Sequence, residues 1–395
     1  MVAASDKTAF TARNLAFWRR WVDNVGAHDI VALDSEHRNL HKATQLGLRV
    51  PTVANSAVGL MVTLFEFVRQ RYYWEDWLPL LNQALRLDAL PPVQKVTLFN
   101  QAGLLLHLLQ RQADAIEQHT HGLVIAQAHA RADLQLVTHV HLSNALYRDH
   151  QYERARAHAL SAMQIAHQRS ETPLHDWATI YNSLGLIGLA RGAYTSAIEN
   201  LRQAGDLFGR VPNIAYQATA LTNLGIALER DGQLPAAEQV YHETDQRLAP
   251  TSFTLAKVRG WINLGAYYAN RRQYEQALSW FQKANRPFLW RSADYRQQAI
   301  VAHNLGYVYV QLDRPNDGIL YLQQAETILR SIDDKLNLGN TLLELGNVYA
   351  RLQTYEQAAH ALSQAVVYLQ PFTENRWAQQ IAAKAQQRLL EIESR

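Results

Sequence analysis

Apolar and polar positions along this chain follow two nested rhythms. The short one has helical spacing: Leu184, Ile187 and Leu189 precede a polar turn, and Ala197, Ile198 and Leu201 follow it. The long one is a Leu-Gly pair that returns at Leu184-Gly185, Leu224-Gly225, Leu264-Gly265, Leu305-Gly306 and Leu345-Gly346, so that successive glycines stand 40, 40, 41 and 40 residues apart. A fixed step of this size predicts stacked supersecondary units, each a pair of helices.

Counted from each glycine, the residue types repeat in register. Nine residues on, the residue is often aromatic (Tyr194, Tyr274, Tyr355), with Leu234 and Pro315 as exceptions. Twelve on it is small (Ala197, Ala237, Ala277, Gly318, Ala358), and sixteen on it is large (Leu201, Tyr241, Phe281, Leu322, Leu362). Nineteen on it is mostly small again (Ala204, Ala284, Ala325, Ala365), with Thr244 out of line. Small residues at a helix crossing let the backbones approach, and large ones fill the space beside it. Arg191-Gly192-Ala193 and Asp231-Gly232-Gln233 read as the turns inside two hairpins, the glycine supplying the left-handed residue that ends the first helix.

The register extends upstream in weaker form, with origins at Ser143, Gly103 and Phe65. It predicts eight helical hairpins from about Asn55 to Tyr368 and three segments: an N-terminal helical region (1–54), the repeat array (55–370) and a C-terminal capping helix (371–395). The cap, from about Glu374 to Ile392, carries Arg376, Gln379, Gln380, Lys384, Gln387 and Arg388 on a face with no further repeat to cover it. Near the N-terminus, residues 8–25 read as an amphipathic helix with Phe10, Leu15, Trp18 and Trp21 toward one side. A break follows at Gly26-Ala27, then a second helix capped by Asp34 or Ser35 and running through Leu40.

Composition narrows the function. With 395 residues, 48% of them hydrophobic and 18% charged, the chain has ample material for a folded core. A net charge of +3 lacks the clustered basic excess of a nucleic-acid binder, so no direct nucleic-acid partner is expected. No apolar run is long enough to span a bilayer and residues 1–11 lack a signal-peptide pattern, so neither membrane nor export is expected. The absence of cysteine removes disulfides and thiolate chemistry and fits a cytoplasmic setting.

Residues 182–204 (NSLGLIGLARGAYTSAIENLRQA) and, more closely, residues 263–284 (NLGAYYANRRQYEQALSWFQKA) resemble tetratricopeptide repeats. Those repeats have a 34-residue period, so a step near 40 implies longer helices. The resemblance implies an all-α, right-handed α-solenoid of antiparallel hairpins. Residues 33–48 (LDSEHRNLHKATQLGL) are similar to the segment that joins the nucleotide-binding core of STAND-class signal-transduction ATPases to a C-terminal repeat array. Glu36, Asn39 and Leu40 carry the match, Thr44 departs from it, and residues 64–85 resemble the family's first hairpin. That resemblance implies a sensor arm with an ATPase core in cis. The chain itself has no Gly-x-x-x-x-Gly-Lys-Ser/Thr loop.

Catalytic and metal chemistry is not expected, and no cofactor either. His119/His121 and His139/His141 are spaced two apart, which turns their side chains away from each other on a helix. His37 and His41 share a face but lack a third ligand, and read as a solvated face. Asp333-Asp334 and Glu75-Asp76 sit where acidic side chains favour helix starts. Trp74 and Trp77 read as core, and Trp290 as packing in the connection 285–294. No Gly-x-Ser-x-Gly elbow occurs.

In the fold that the resemblance implies, first helices line a concave groove. The facing positions are six and three before each glycine and one, four and five after it. They hold Asn144, Tyr147, Arg148, Thr179, Asn182, Thr222, Glu229, Arg230, Arg259, Asn270, His303, Tyr307, Gln311, Asn340, Asn347 and Arg351. Arg and Asn can hold carboxylates or backbone amides in fixed geometry. The expected partner is a protein, a peptide or a small-molecule inducer in this groove; a solvated inner face with no ligand is the plain alternative. Co-chaperones of the family clamp an acidic C-terminus with Lys three before the glycine. Asn182, Thr222, Ile262, His303 and Leu343 stand there instead. Two non-catalytic roles remain open: sensor domain of a STAND-type regulator, or free-standing scaffold or peptide receptor.

Overall fold

The computed structural model describes residues 2–27, 29–71, 73–211, 214–251, 255–291, 294–372 and 376–394. Among them every regular element is a helix. Packing divides the chain into two units, Met1–Pro212 and Asn213–Arg395.

The first unit opens with α1 (Val2–Val25), α2 (Ile30–Ser35) and α3 (His37–Leu48). Four hairpins follow: α4 (Ala54–Gln70) with α5 (Trp74–Leu85), α6 (Pro92–Leu108) with α7 (Gln112–Ala128), α8 (Ala132–Arg148) with α9 (Tyr152–Gln168), and α10 (Leu174–Ala190) with α11 (Tyr194–Gly209). In the second unit α12 (Ile214–Arg230) pairs with α13 (Leu234–Leu248) and α14 (Leu255–Asn270) with α15 (Tyr274–Ala284). After the short α16 (Pro287–Arg291), α17 (Tyr295–Gln311) pairs with α18 (Pro315–Ser331) and α19 (Lys335–Arg351) with α20 (Tyr355–Leu369), and α21 (Arg376–Glu393) closes the unit. The eight hairpins anticipated from the sequence are present, and the fold is an all-α repeat array. Glu374, expected to start the last helix, lies outside the described residues, as does the side chain of Arg376.

The register has a direct physical cause. A Cβ added at Gly265 would sit 2.5 Å from the Phe281 ring, the residue sixteen on. Gly185 meets Leu201, Gly225 meets Tyr241, Gly306 meets Leu322 and Gly346 meets Leu362 at 2.4–2.7 Å in the same way. The glycine is the floor on which the large side chain of the second helix lies. Ala197, Ala237, Ala277 and Ala358 are fully buried in that crossing.

One turn joins the two helices from the second hairpin onward. Residues Gln110, His150, Gly192, Gly232, Arg272, Asp313 and Gln353 take left-handed backbone angles. The next residue donates its N–H to the carbonyl five positions back, as Arg111 does to Leu106 at 2.9 Å and Gln273 to Tyr268 at 3.0 Å. This is the Schellman closure that satisfies helix-end carbonyls. Glycine supplies it in only two of the seven turns.

Within each unit the first helices of successive hairpins touch one another: α4, α6, α8 and α10 in one, α12, α14, α17, α19 and finally α21 in the other. Second helices make most of their contacts with their own first helix and, within a unit, with the next one. The first helices of each unit thus stand side by side and form one continuous inner wall.

The N-terminal helices differ from expectation in three details. Leu15 and Val22 are buried in a core with Leu33, Leu40, Leu64, Phe67 and Trp77, and Trp18 and Trp21 pack against it. Phe10 is 58% exposed, because the buried stripe of α1 runs through Thr11, Leu15, Trp18 and Val22. Neither Asp34 nor Ser35 caps the helix that runs through Leu40: Glu36 stands at the start of α3 without a side-chain cap, and both residues belong to α2, which Asp29 caps by accepting from the Ala32 N–H. Asp34 ends α2 and reaches the first hairpin, where Arg71 donates at 3.0 and 2.5 Å and the Tyr73 hydroxyl at 2.6 Å. His37 and His41 are not a solvated face. His37 stacks on the Tyr73 ring at 3.6 Å, and the His41 ring lies 3.1 Å from the Asp76 carbonyl and edge-on to Trp77.

Candidate functional site

The inner wall of each unit is built from the polar side chains of its first helices. In the first unit Asn144 accepts a hydrogen bond from Ser183 at 2.9 Å, which ties α8 to α10. Tyr147 is half-buried beside the exposed Arg148, whose guanidinium lies 5.9 Å from its ring. Thr179 bonds back to the His175 carbonyl, and Asn182 is half-buried.

In the second unit the expected residues form rungs between neighbouring first helices. Asn270 donates to Glu229 at 3.1 Å, Arg271 lies 3.5 Å from the same carboxylate, and the Tyr241 hydroxyl reaches its other oxygen at 3.4 Å. Arg271 also covers the Tyr267 ring at 3.5 Å. Burial and the adjacent Glu229 push the Tyr241 phenol up, so it stays a donor. His303 meets Asn340 at 3.2 Å and Thr341 at 3.0 Å. Its enclosure lowers the imidazole to about 4, keeping it neutral at pH 7. Arg351 donates to the Val310 carbonyl at 3.0 Å and pairs with Asp313. Tyr307 stands edge-on to Tyr274, 6.4 Å away, and burial raises its hydroxyl to about 12. Thr222 is buried, whereas Arg230, Arg259 and Gln311 are exposed.

Several residues expected to meet a ligand therefore hold repeat to repeat: Asn144, Glu229, Asn270, His303, Asn340 and Arg351. Arg230 and Arg259 on this wall of the second unit are exposed to solvent. Sequence reasoning missed Arg271, whose place six after the glycine is outside the five facing positions. It also missed Glu344, two before Gly346, which with Asn340 and Asn347 faces α21 across a cleft of about 370 Å³. A larger cleft, about 610 Å³, lies in the first unit against α5, with Glu75, Arg86 and Arg111 on its walls. It is not on the first-helix wall.

The histidine pairs are parted within each helix, as their spacing requires, but meet across helices. His119 stacks on His141 at 5.2 Å and approaches Asn100 at 3.1 Å, and His139 meets His158 at 2.9 Å. Among the described residues no group of three or more metal-ligating side chains is arranged to hold an ion. Trp290 packs against the core of α17–α21 and donates to Asn285 at 2.6 Å. Asp334 caps α19 through the Asn337 N–H. No helix among the described residues is long and apolar enough to cross a membrane.

No protein-family profile matches the sequence, and no curated protein is similar to it. Solved structures are similar in fold. A Rap protein complexed with Competence and Sporulation Factor shares 13% identity at a TM-score of 0.58, over 93% of this chain and all of that one. The Rap conjugation gene regulator of plasmid pLS20, in complex with the Phr* peptide, gives 12% identity and a TM-score of 0.50 over 85% and 96%. The STAND protein with a tetratricopeptide repeat sensor from Pyrococcus horikoshii gives 10% identity and a TM-score of 0.52, over 98% of this chain and 53% of that one. This chain therefore spans about half the length of the STAND protein. The fold is the tetratricopeptide-type helical repeat.

Proposed function

We propose that the chain is a non-catalytic recognition arm that holds an extended peptide or protein segment along the inner wall of its first helices. The observation that carries the reading is the wall itself. Side chains fixed by rungs between repeats, Glu229 with Asn270 and His303 with Asn340, leave the exposed Arg230 and Arg259 beside a rigid polar surface. Pre-ordered donors and acceptors recognise a peptide backbone without further ordering cost. The Rap structures, one with a bound peptide, support a peptide as the ligand.

The finer reading is that this arm senses for a STAND-type regulator, with the 1–54 region joining it to an ATPase core in cis and 371–395 capping the array. The likeness to the Pyrococcus horikoshii protein and the docking of α2 and α3 on the first hairpin through Asp34 and Arg71 support it. A small-molecule inducer is a narrower version of the same role. A free-standing cytoplasmic peptide receptor is the second reading, favoured by the match to nearly the full length of the Rap chains.

The test is selection of peptides from a random library on the full chain, followed by the double variant Arg230→Glu/Arg259→Glu. Binding should be lost while the circular-dichroism melt stays within a degree or two. Undiminished binding by the variant, or a library that yields no binder, would remove the reading. Nucleotide-dependent binding when the chain is fused to or mixed with a P-loop partner separates the sensor from the receptor.

A further inference from the structure

The second unit does not end on a plain cap. Helix α21 packs against both α20 and α19, the place a ninth first helix would take, and no second helix follows it within the described residues. The cleft of about 370 Å³ between α19 and α21 is therefore a continuation of the inner wall. Its volume is at the lower end of the small-ligand range, suited to one or two residues rather than a large cofactor.

Its walls differ in character. Ile381 and Leu343 are buried at 4% exposure each and make an apolar floor, and Trp377, 43% exposed, stands beside them. Glu344 on α19 is half-buried with Asn347 beside it, and Lys384 on α21 supplies the nearby positive charge. Arg388, also in the cleft, is tied to Glu391 at 2.5 Å and so adds little net charge. One wall thus offers a carboxylate acceptor and the other an ammonium donor. A free carboxylate would suit Lys384 but be repelled by Glu344, and a free ammonium would meet the reverse. A neutral amide suits both, its N–H toward Glu344 and its carbonyl toward Lys384.

We propose that the α19–α21 cleft is a specificity subsite for one apolar residue of a bound peptide, its side chain against Trp377 and Ile381 and its backbone amide between Glu344 and Lys384. This rests on the inner-wall reading and adds to it the place and chemistry of one anchoring residue. Burial raises the Glu344 carboxyl, opposed by Asn347 and Lys384. An amide donor entering the cleft gives that carboxyl a further hydrogen-bond partner.

The probes are N-acetyl-L-leucinamide, N-acetyl-L-leucine and L-leucinamide, titrated into the full chain and its variants with binding read from the probes' own NMR signals; in wild type the Trp377 indole, assigned with Trp377→Phe, reports the site. The neutral diamide should bind in the millimolar range, about ten-fold tighter than either charged probe, and Trp377→Ala or Glu344→Ala should cost it about ten-fold at an unchanged melt. Equal or tighter binding of a charged probe, or indifference of the diamide to both substitutions, overturns the subsite. A library peptide that binds wild type and both variants alike also overturns it but leaves the inner-wall reading standing. Diamide binding at Trp377 with no library binder at all sustains the cleft and removes the wider groove.

Discussion

Hairpin α14–α15 and the pair α6–α7 and α8–α9 fill the same structural slots with opposite chemistry. In the first, Gly265 takes the Phe281 ring on its bare backbone, and Ala277 and Ala284 close the crossing with no exposure. In the second, Gly103 takes the imidazole of His119 at the same sixteen-residue offset. Asn100 approaches that ring at 3.1 Å and donates to Thr138 at 2.8 Å, and His119 stacks on His141. One origin further, a larger residue, Ser143, is matched by a smaller one, Ala159. The slot specifies volume and leaves polarity free: His119 and Asn100 find partners there, whereas the Ser143 hydroxyl does not. The apolar version is bound by packing, the imidazole version by hydrogen bonds that depend on protonation.

The largest effect should come from emptying the apolar slot. Phe281→Ala leaves a cavity over Gly265 and should cost ~3–5 kcal/mol by urea unfolding followed by circular dichroism. A loss under 1 kcal/mol would mean that the hairpin collapses onto the space and that the register is not held by this contact.

Acid should separate the two chemistries next. Burial lowers His119 well below the ordinary value, His139 and His141 to about 4, and His158 to a lesser degree. The charged groups facing them are other imidazoles and Arg154: His107 and His141 near His119, His107 near His141, His158 near His139, and Arg154 near His158. None is an acid that would favour the imidazolium. The unfolded chain binds protons near pH 6.5 and the folded one does not, so stability is full above that value and falls as the pH drops toward 4. The enclosed His141 alone should cost roughly 1–2 kcal/mol at pH 5. Hydrogen exchange on the full chain at pH 7 and pH 5 should show protection falling in α6–α9 well before α14–α15. Equal loss in both would refute the contrast. In the second unit only His303 is comparably lowered among the described histidines, so α17 and α19 should respond next.

A pair of small side-chain changes at equivalent origins sharpens the comparison further. Gly265→Ala forces a Cβ into the Phe281 ring and should destabilise by ~1–3 kcal/mol. Ser143→Ala occupies the equivalent origin opposite Ala159, and the Ser143 hydroxyl is buried without a hydrogen-bond partner. Removing that hydroxyl should be neutral or stabilise by ~1 kcal/mol. Gly265→Ala should lower the urea midpoint, and Ser143→Ala should leave it unchanged or raise it.

This contrast also marks what could be read from sequence. The 40-residue step is legible because backbone contact demands a small residue at every crossing, as at Gly185, Gly225 and Gly265. The inner-wall residues are legible as positions but not as roles. Whether Asn270 meets a ligand or Glu229 depends on the offset between stacked helices, which no pattern within one repeat records. Glu344 and Arg271 escaped for a similar reason: both sit one position beside the presumed facing set, and long side chains reach around a helix. Phe10 misled because seven-residue spacing places it with Phe17, also exposed, rather than with Leu15. Asp34 resembled a cap by type, yet its partner Arg71 lies 37 residues away.

The smallest test concerns the turn, where the regions again differ in residue but not in shape. Gly192 and Gly232 take φ of +76° and +82° without a side chain to strain, while Gln353 takes +61° with one. Left-handed angles cost L-residues roughly 1 kcal/mol through Cβ crowding, whereas glycine adopts them freely but loses more entropy on folding. The strain exceeds the entropy term where the angle is enforced by a closed turn, here by Thr354 donating to the Tyr349 carbonyl at 2.9 Å. Gln353 is exposed, so its side chain contributes little packing. Gln353→Gly should therefore raise stability by ~0.5 kcal/mol, and Gly192→Ala should lower it by about 1 kcal/mol, both read as shifts in urea midpoint at constant slope. If both changes destabilise, the turn is held by its side chains rather than by its backbone angle.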